Sequence, residues 1–263
     1  MKKLKSALAL LLALGLFLSL FGCKIGGNDS YSILDNIDNQ QFCIGFRPGD
    51  KAGEAVIAAL AVLQDEGKLR ELSVKWFGSD LSLLEGDAKA LENLGEKPEK
   101  RNFIIGYDPG RLPFSGSVEN GNPTGFDIDL ATAVCQKLGW RTRFLAIDVS
   151  QAEVELTSGN VDCVMGGLAY AEDNSKIQMS PPYIKNTVVL ATLAGSGVSL
   201  GGKTLMISDS GYYNSLLEKN SKLTDKPAFI IRVPDGADGC FKGLRDGSCD
   251  VIITDKAALD YYR

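Results

Sequence analysis

The chain has 263 residues, a net charge of −5 at pH 7 with a pI near 5.0, and an apolar fraction of 44%. This length and apolar content allow one two-lobed protein or two small domains with a sizeable core. The acidic balance lacks the basic footprint of a nucleic-acid-binding protein, so no nucleic-acid partner is predicted. The chain contains no His, and none of its six cysteines has CxxC spacing. A Cys/His zinc site is therefore excluded, an all-Cys site is unsupported, and neither a metal nor a cofactor is predicted.

Residues 1–23 have the pattern of a targeting segment. Three lysines precede an apolar run over residues 6–21, which is too short for a comfortable membrane span. The run ends Leu20-Phe21-Gly22-Cys23, which resembles the cleavage box of bacterial lipoproteins. We therefore expect residues 1–23 to be a lipoprotein signal peptide, with Cys23 lipidated and the protein anchored outside the bacterial cell membrane. An uncleaved anchor and an ordinary signal peptide are the alternatives.

The next part of the chain contains short elements followed by a linker. The predicted elements are strands over 31–37 and 42–46, helices over 50–66 and 68–77, and a loose helix over 81–94. Apolar residues at helical spacing support the first helix, and Gly67 and Gly78 end the two helices. Residues 79–101 turn charged and contain a Pro, which is typical of a linker.

From residue 102 onward, strands alternate with helices. The predicted strands cover 102–107, 142–147, 161–165, 188–193, 204–207, 228–233 and 250–254, and the predicted helices cover 124–138, 152–158, 212–219, 236–245 and 256–262. Thr124 and Asp127 have the spacing of a capping box. The turn cluster at 194–197 suits a lobe boundary. This alternation predicts an α/β fold with a mainly parallel sheet in each lobe.

Two stretches resemble the solute-binding proteins of polar amino-acid ABC transporters, the family 3 type, but they stand in reverse order. Residues 42–79, with Lys75-Trp76-Phe77-Gly78 near their end, resemble the C-terminal end of these proteins. Residues 103–138, which include Gly125-Phe-Asp-Ile-Asp-Leu130, resemble their N-terminal start. The chain is therefore interpreted as circularly permuted. The linker 79–101 would join the two usual termini, which often lie close together in compact domains.

The resemblance implies a two-lobed, hinge-linked periplasmic-binding-protein-like α/β fold. In the permuted order, residues 24–41 would form a tether and the N-terminal strand of lobe 2. Residues 42–190 would form lobe 1, and residues 191–263 would complete lobe 2. We expect the hinge crossings near Gln41 and Ala191.

Ligand sites in such folds lie at the carboxyl ends of strands, in the crevice. The candidate ligand-binding residues on the five loops found there are Asp108, Arg111, Phe114, Val149, Gly166, Gly167, Leu168, Ala169, Asn174, Asp209, Ser210, Gly211 and Asp255. The resemblance implies that Asp255 receives a ligand ammonium, although a helix N-cap is the alternative. Asn174 stands where the family places the Arg that clamps an α-carboxylate. Asp127 and Asp129 are given structural rather than ligand-binding roles.

Other candidates keep two interpretations. Arg111 stands where an aromatic residue is common in the family, and it either replaces the missing clamp or is a solvated loop cation. Tyr107 and Tyr212 are expected to pack at a lobe edge. Cys240 and Cys249 flank one predicted helix and could form a disulfide in an oxidising compartment.

The resemblance implies an extracytoplasmic, lipid-anchored and monomeric solute-binding protein, not an enzyme. It would capture a small polar ligand, an amino acid or a derivative, and deliver it to the permease subunits of an ABC importer. The missing clamp favours one alternative, a ligand-sensing or degenerate module without transport. A dehydratase or lytic enzyme on the same fold is the other, but the acids Asp108, Glu172 and Asp173 form no recognisable dyad.

Overall fold

The computed structural model describes residues 30–96, 98–118, 120–172 and 175–263. The targeting segment with Cys23 lies outside these ranges, as does Asn174. The helices of the described ranges are all too short or too polar to cross a bilayer.

Two five-stranded sheets form the centres of two lobes, which confirms the predicted two-lobed α/β fold. The sheet of lobe 1 has the order β7 (Arg141–Ala146), β3 (Asn102–Tyr107), β8 (Cys163–Val164), β2 (Gly45–Phe46), β9 (Gln178–Met179). The sheet of lobe 2 has the order β1 (Tyr31–Phe42), β10 (Ile184–Leu193), β13 (Val251–Asp255), β11 (Thr204–Ser208), β12 (Phe229–Val233). A third, small sheet contains β4 (Gly110–Arg111), β5 (Ser115–Ser117) and β6 (Pro123–Thr124).

Helices cover the faces of the two large sheets. They are α1 (Ala52–Asp65), α2 (Lys68–Phe77), α3 (Phe126–Leu138), α4 (Ala152–Thr157), α5 (Gly211–Lys219), α6 (Ser221–Asp225), α7 (Gly236–Asp246) and α8 (Lys256–Tyr261), with a 3-10 turn at Val149–Gln151. Three of them end at glycines in the left-handed cap conformation, α2 at Gly78, α3 at Gly139 and α7 at Gly247. These are common helix ends, because glycine adopts this conformation without steric cost.

Each sheet is mixed, but four of its five strands run in one direction, so the sheets are mainly parallel as predicted. The reversed strand is β2 in lobe 1 and β10 in lobe 2. Three neighbouring strands are parallel in each lobe, namely β7, β3 and β8 in lobe 1 and β13, β11 and β12 in lobe 2. The remaining strands, β2 and β9 in lobe 1 and β1 and β10 in lobe 2, join by antiparallel pairing. The reason is the connection between the lobes: β1 and β10 run as one antiparallel ribbon, and β2 continues the direction of β1 into lobe 1.

The ribbon of β1 and β10 belongs to both lobes. Phe42 and Ile184, which pair at one end of it, lie in the core of lobe 1, whereas Val188 lies in a core of lobe 2. The crossing in β10 therefore lies near Asn186. The predicted crossing near Ala191 is several residues too late, because Ala191 is buried in lobe 2.

Residues 42–77 pack into lobe 1 with the segment that starts at residue 102. β2 pairs with β8 and β9, and both α1 and α2 contact α3. The largest fully buried side chains of the joint core are Phe42, Ile44, Phe46, Leu60, Leu69, Phe103, Ile105, Phe114, Phe126, Leu130 and Tyr183. Burial of apolar surface on this scale contributes ~25 cal/mol per Å², so the two stretches stabilise each other as one unit.

The loose helix predicted over 81–94 is wrong. This segment contains turns and one bridge between Ser82 and Ile184. Four of its leucines pack against the core of lobe 1, namely Leu81, Leu84, Leu91 and Leu94. Tertiary contact decides the conformation here, which commonly overrides a weak helical propensity.

The start of α3 differs from the predicted capping box. Thr124 belongs to β6, and Gly125 is the N-cap residue and offers no side-chain cap. Asp127 is instead buried, and its Oδ1 accepts a 2.6 Å hydrogen bond from the Tyr183 hydroxyl. Burial raises the pKa of Asp127 to about 7, although the bond from Tyr183 opposes this shift. Asp127 thus ties α3 to the chain that enters β10.

Candidate functional site

A buried ion pair joins the two lobes beside the crossing strands. Arg111 Nε donates to Asp255 Oδ2 at 2.8 Å, and Arg111 Nη2 donates to Asp255 Oδ1 at 3.0 Å. Arg111 lies in β4 of lobe 1, whereas Asp255 ends β13 of lobe 2. The two side chains are only 5% and 2% exposed. This two-pronged geometry is the strong form of an arginine–carboxylate contact.

The ribbon of β1 and β10, which we call the hinge ribbon, supplies two amides that hydrogen-bond to the ion pair. Gln40 and Asn186 stand opposite each other in the β1–β10 register. Gln40 Oε1 accepts from Arg111 Nη2 at 2.8 Å and from Asn186 Nδ2 at 3.1 Å. Asn186 Nδ2 also donates to Asp255 Oδ1 at 2.6 Å. We call Arg111, Asp255, Gln40 and Asn186 the cleft cluster.

A glycine carbonyl from lobe 1 accepts a further hydrogen bond from the guanidinium. Arg111 Nη1 donates to the carbonyl of Gly167 at 3.1 Å. Gly167 has φ +98°, and a Cβ there would lie 2.7 Å from that nitrogen. Only glycine combines this backbone conformation with so close an approach.

Aromatic rings surround the same guanidinium. The Arg111 Cζ atom lies 4.7 Å from the ring centroid of Phe42, 4.9 Å from that of Tyr212 and 5.9 Å from that of Tyr213. Such distances give cation–π attraction, which is larger in a desolvated place. The hydroxyl of Tyr212 donates to Asp38 at 2.9 Å. Tyr212 packs at the edge of a lobe 2 core, as expected, and its ring also faces Arg111.

The electrostatics favour a charged pair. Burial opposes the charge of the guanidinium, but the attraction of Asp255 outweighs it and raises the pKa of Arg111. Asp108 lies nearby and also feels burial, which raises its pKa, while the Gly110 N–H and Arg111 oppose the rise. Its Oδ1 accepts from Gly110 N at 2.8 Å. Asp108 therefore holds the loop that carries Arg111.

The structure decides between the alternatives for two predicted residues. Arg111 is buried, so the alternative of a solvated loop cation is wrong. Asp255 occupies the N-cap position of α8 but makes no side-chain cap bond. Its carboxylate faces Arg111 and Asn186 instead.

Phe114 lies in the core of lobe 1. It is 0% exposed, and its ring centroid lies 5.1 Å from that of Phe42 and 4.8 Å from that of Phe77. It supports Phe42, which in turn stacks on Arg111. The structure therefore places Phe114 behind the site rather than at its surface.

The other described lobe 1 candidates do not join the cleft cluster. Val149 and Leu168 pack with the hydrophobic cluster of α4 on the far face of the sheet. Ala169 forms a bridge with Phe42, and a Cβ on Gly166 would press on Ser115. Asn174 lies outside the described residues.

The loop 209–211 of lobe 2 starts α5, as predicted. Ser210 Oγ accepts a 3.5 Å contact from Tyr213 N at the helix start, and Asp209 Oδ1 accepts from Asn214 at 3.0 Å. These bonds place Tyr212 and Tyr213 against the guanidinium. The loop 209–211 thus positions the two tyrosine rings that face Arg111.

The rims of the two lobes touch on both sides of the cluster. Gly236, at the start of α7, packs against Gly110 so closely that a Cβ on Gly236 would collide with the Gly110 backbone. Gly211 stands equally close to the Ser150 side chain. The lobes are thus closed around Arg111 and Asp255.

The disulfide considered between Cys240 and Cys249 is absent among the described cysteines. Both side chains are buried free thiols, and burial raises the pKa of each to about 12. They remain protonated and pack as small core residues.

Sequence reasoning missed Gln40, Asn186 and Phe42. A weak signal was available only for Asn186, an amide beside the apolar run 188–193, because a buried polar side chain requires a partner. Gln40 lies in the mostly polar run 35–41 and offered none. The signal at Asn186 does not name the partner, which here comes from a distant part of the chain.

Comparison with known proteins places the chain among binding proteins. A family model described as bacterial extracellular solute-binding proteins, family 3, matches residues 103–227. The arginine-binding extracellular protein ArtP of Bacillus subtilis is 28% identical over 177 residues, which cover 65% of this chain and 68% of that one.

Solved structures show the same similarity. A substrate-binding protein of an ABC uptake transporter from Streptococcus pneumoniae with bound histidine is 30% identical, with a TM-score of 0.52 and coverage of 61% of this chain and 68% of that chain. An ancestral arginine-binding protein bound to arginine is 26% identical, with a TM-score of 0.52 and coverage of 63% and 74%.

Proposed function

We propose that this chain, which belongs to the bacterial extracellular solute-binding proteins of family 3, captures a zwitterionic amino acid between its lobes. It would deliver this ligand to the permease subunits of an ABC importer. The observation that carries the proposal is the buried Arg111–Asp255 pair. It brings a cation of one lobe and an anion of the other to the same point in the cleft.

A zwitterion is the ligand class that suits such a pair. An amino acid that enters between the lobes can place its ammonium on Asp255 and its carboxylate on Arg111. One ion pair is then replaced by two, and both buried charges stay compensated. A ligand with a single charge leaves one side uncompensated, which typically costs several kcal/mol.

This arrangement also accounts for Asn174 at the family's usual clamp position. A guanidinium from the loop after β3 would bind the ligand carboxylate instead. The planar fork of Arg111 suits a carboxylate as well as it suits the Asp255 side chain.

A thermal-shift screen tests the proposal with matched ligands. Each set contains an amino acid, the amine that lacks its carboxylate and the acid that lacks its amino group. We expect stabilisation only by the amino acid, and ligand at a hundred times Kd should add ~2.7 kcal/mol. Equal stabilisation by an amine or an acid would contradict the zwitterion requirement.

A second candidate is a sensing or degenerate module without transport. The buried Arg111–Asp255 pair favours this candidate too, since each charge already has its partner without a ligand. No stabilisation by any amino acid or small polar metabolite in the screen would support this candidate against the first. In either case we expect no turnover, and chemical change of an added ligand, followed by mass spectrometry, would contradict that.

We also propose the circular permutation. Its support is that residues 42–77 pack with the segment from residue 102 onward in one lobe. A reordered chain that begins at residue 100, joins residue 263 to residue 30 through a flexible linker and ends at residue 79 should fold into the same two lobes. It should be less stable than the original, because Leu81 and Leu91 no longer pack on lobe 1. An unfolded product, measured by circular dichroism, would contradict the permuted order.

The lipid anchor at Cys23 stays a prediction, and it would hold the protein on the outer side of the cell membrane. We also expect the protein to be a monomer. Replacing Cys23 with Ser should release the protein from the membrane fraction or leave the precursor uncleaved. A variant that is both processed and localised like the wild type would contradict the lipid anchor.

A further inference from the structure

The guanidinium of Arg111 occupies a place built mostly by other elements. Asp255 supplies the carboxylate and Tyr212 one aromatic face, both from lobe 2. The hinge ribbon supplies the opposite contacts, the ring of Phe42 and the amide oxygen of Gln40. A carboxylate, an amide oxygen and two rings together form a receptor for a planar cation.

We propose that the cleft contains a guanidinium site that the chain's own Arg111 occupies, and that this occupation closes the lobes without any solute. The inference rests on the proposed function only in taking this cleft as the place where a solute binds. Arg111 is then a tethered occupant, and a solute must separate it from Asp255 before the solute can enter.

The contacts of Arg111 explain why it would act as a latch. Its side chain starts in lobe 1 and makes a bidentate bond to lobe 2. Both partners are almost fully buried, so solvent screens their attraction little. The rim contacts between Gly110 and Gly236 and between Gly211 and Ser150 are made in the same closed arrangement.

Arg101 provides a matched control within one lobe. Its guanidinium also pairs with a carboxylate, Asp162, at 2.5 Å, and it lies 5.5 Å from the ring of Phe103 and 5.7 Å from that of Trp140. Both the carboxylate and the rings belong to lobe 1. Replacing Arg101 therefore removes a stacked, paired arginine without releasing a contact between the lobes.

Small-angle X-ray scattering on the solute-free protein tests the latch. We expect the wild type to give the curve calculated from this closed structure, and Arg101→Ala to give the same curve. Arg111→Ala should have a larger radius of gyration. Millimolar methylguanidinium should return Arg111→Ala to the closed curve, and it should raise the melting temperature of this variant but not of the wild type.

Each result bears on the proposal. An open wild type, or an Arg111→Ala variant as compact as the wild type, would overturn the latch. Failure of methylguanidinium to close or stabilise a folded Arg111→Ala would overturn the guanidinium site. If Arg111→Ala does not fold, Asp255→Asn takes its place in the scattering test, and a radius of gyration equal to that of a closed wild type would overturn the latch. A wild type that is open and closes on an amino acid would overturn this inference and leave the proposed function intact.

Discussion

Replacing Asp255 with Asn is expected to lower the free energy of unfolding by about 3–5 kcal/mol. The substitution keeps the shape of the side chain but removes its charge. Arg111 would then remain charged, 4% exposed and without an anionic partner. The loss should be visible as a lower midpoint of urea unfolding with an unchanged slope. It should also abolish stabilisation by amino acids, because their ammonium loses its anchor.

A double-mutant cycle isolates the pair from the individual side chains. Arg111→Met should be destabilising on its own, because it leaves the Asp255 carboxylate buried and unpaired. The double variant Arg111→Met/Asp255→Asn should be more stable than the sum of the single losses predicts. Purely additive losses would mean that the two charges do not depend on each other.

A surface pair serves as the control. Lys51 and Glu96 form a salt bridge at 3.2 Å, and both side chains are 81% exposed. Glu96→Gln should leave the unfolding midpoint almost unchanged, because solvent screens such pairs. An equal effect of Glu96→Gln and Asp255→Asn would show that burial of the cleft cluster has no energetic consequence.

Phe114→Ala should cost about 3–5 kcal/mol of stability, the range for removing a fully buried aromatic side chain. The ring fills the space between Phe42 and Phe77. Phe114→Leu should cost clearly less, because it retains most of the volume. The preference for amino acids over their amines should survive in both variants, since Phe114 touches neither charge of the cluster.

The opposite pattern would contradict the placement of Phe114. Unchanged stability together with a loss of ligand selectivity would make it a surface residue of the cleft. Comparing urea unfolding with ligand-induced thermal shifts on the same variants separates these two cases.

The fold was largely predictable from local patterns. The stretch ending in Lys75-Trp76-Phe77-Gly78 and the segment Gly125–Leu130 indicated the two-lobed architecture before any contact was known. Strand–helix alternation after residue 102 placed most elements. The mixed sheets were not predictable in this way, because the direction of β2 follows from the hinge ribbon and not from its own sequence.

The site was predictable residue by residue but not as an arrangement. Arg111 and Asp255 were each found at a strand end, with separate roles toward a ligand. Their mutual pairing joins positions 144 residues apart, and no local spacing encodes such a contact. Gln40 and Asn186 could not be chosen for the same reason, since their role depends on the β1–β10 register.

A crystal structure of the wild-type protein with a stabilising amino acid tests the central claim most directly. We expect the ligand ammonium within hydrogen-bonding distance of the Asp255 carboxylate and the ligand carboxylate on the Arg111 guanidinium. The two side chains should no longer contact each other. An amino acid bound elsewhere, with the Arg111–Asp255 pair intact at its present 2.8 Å, would contradict the account.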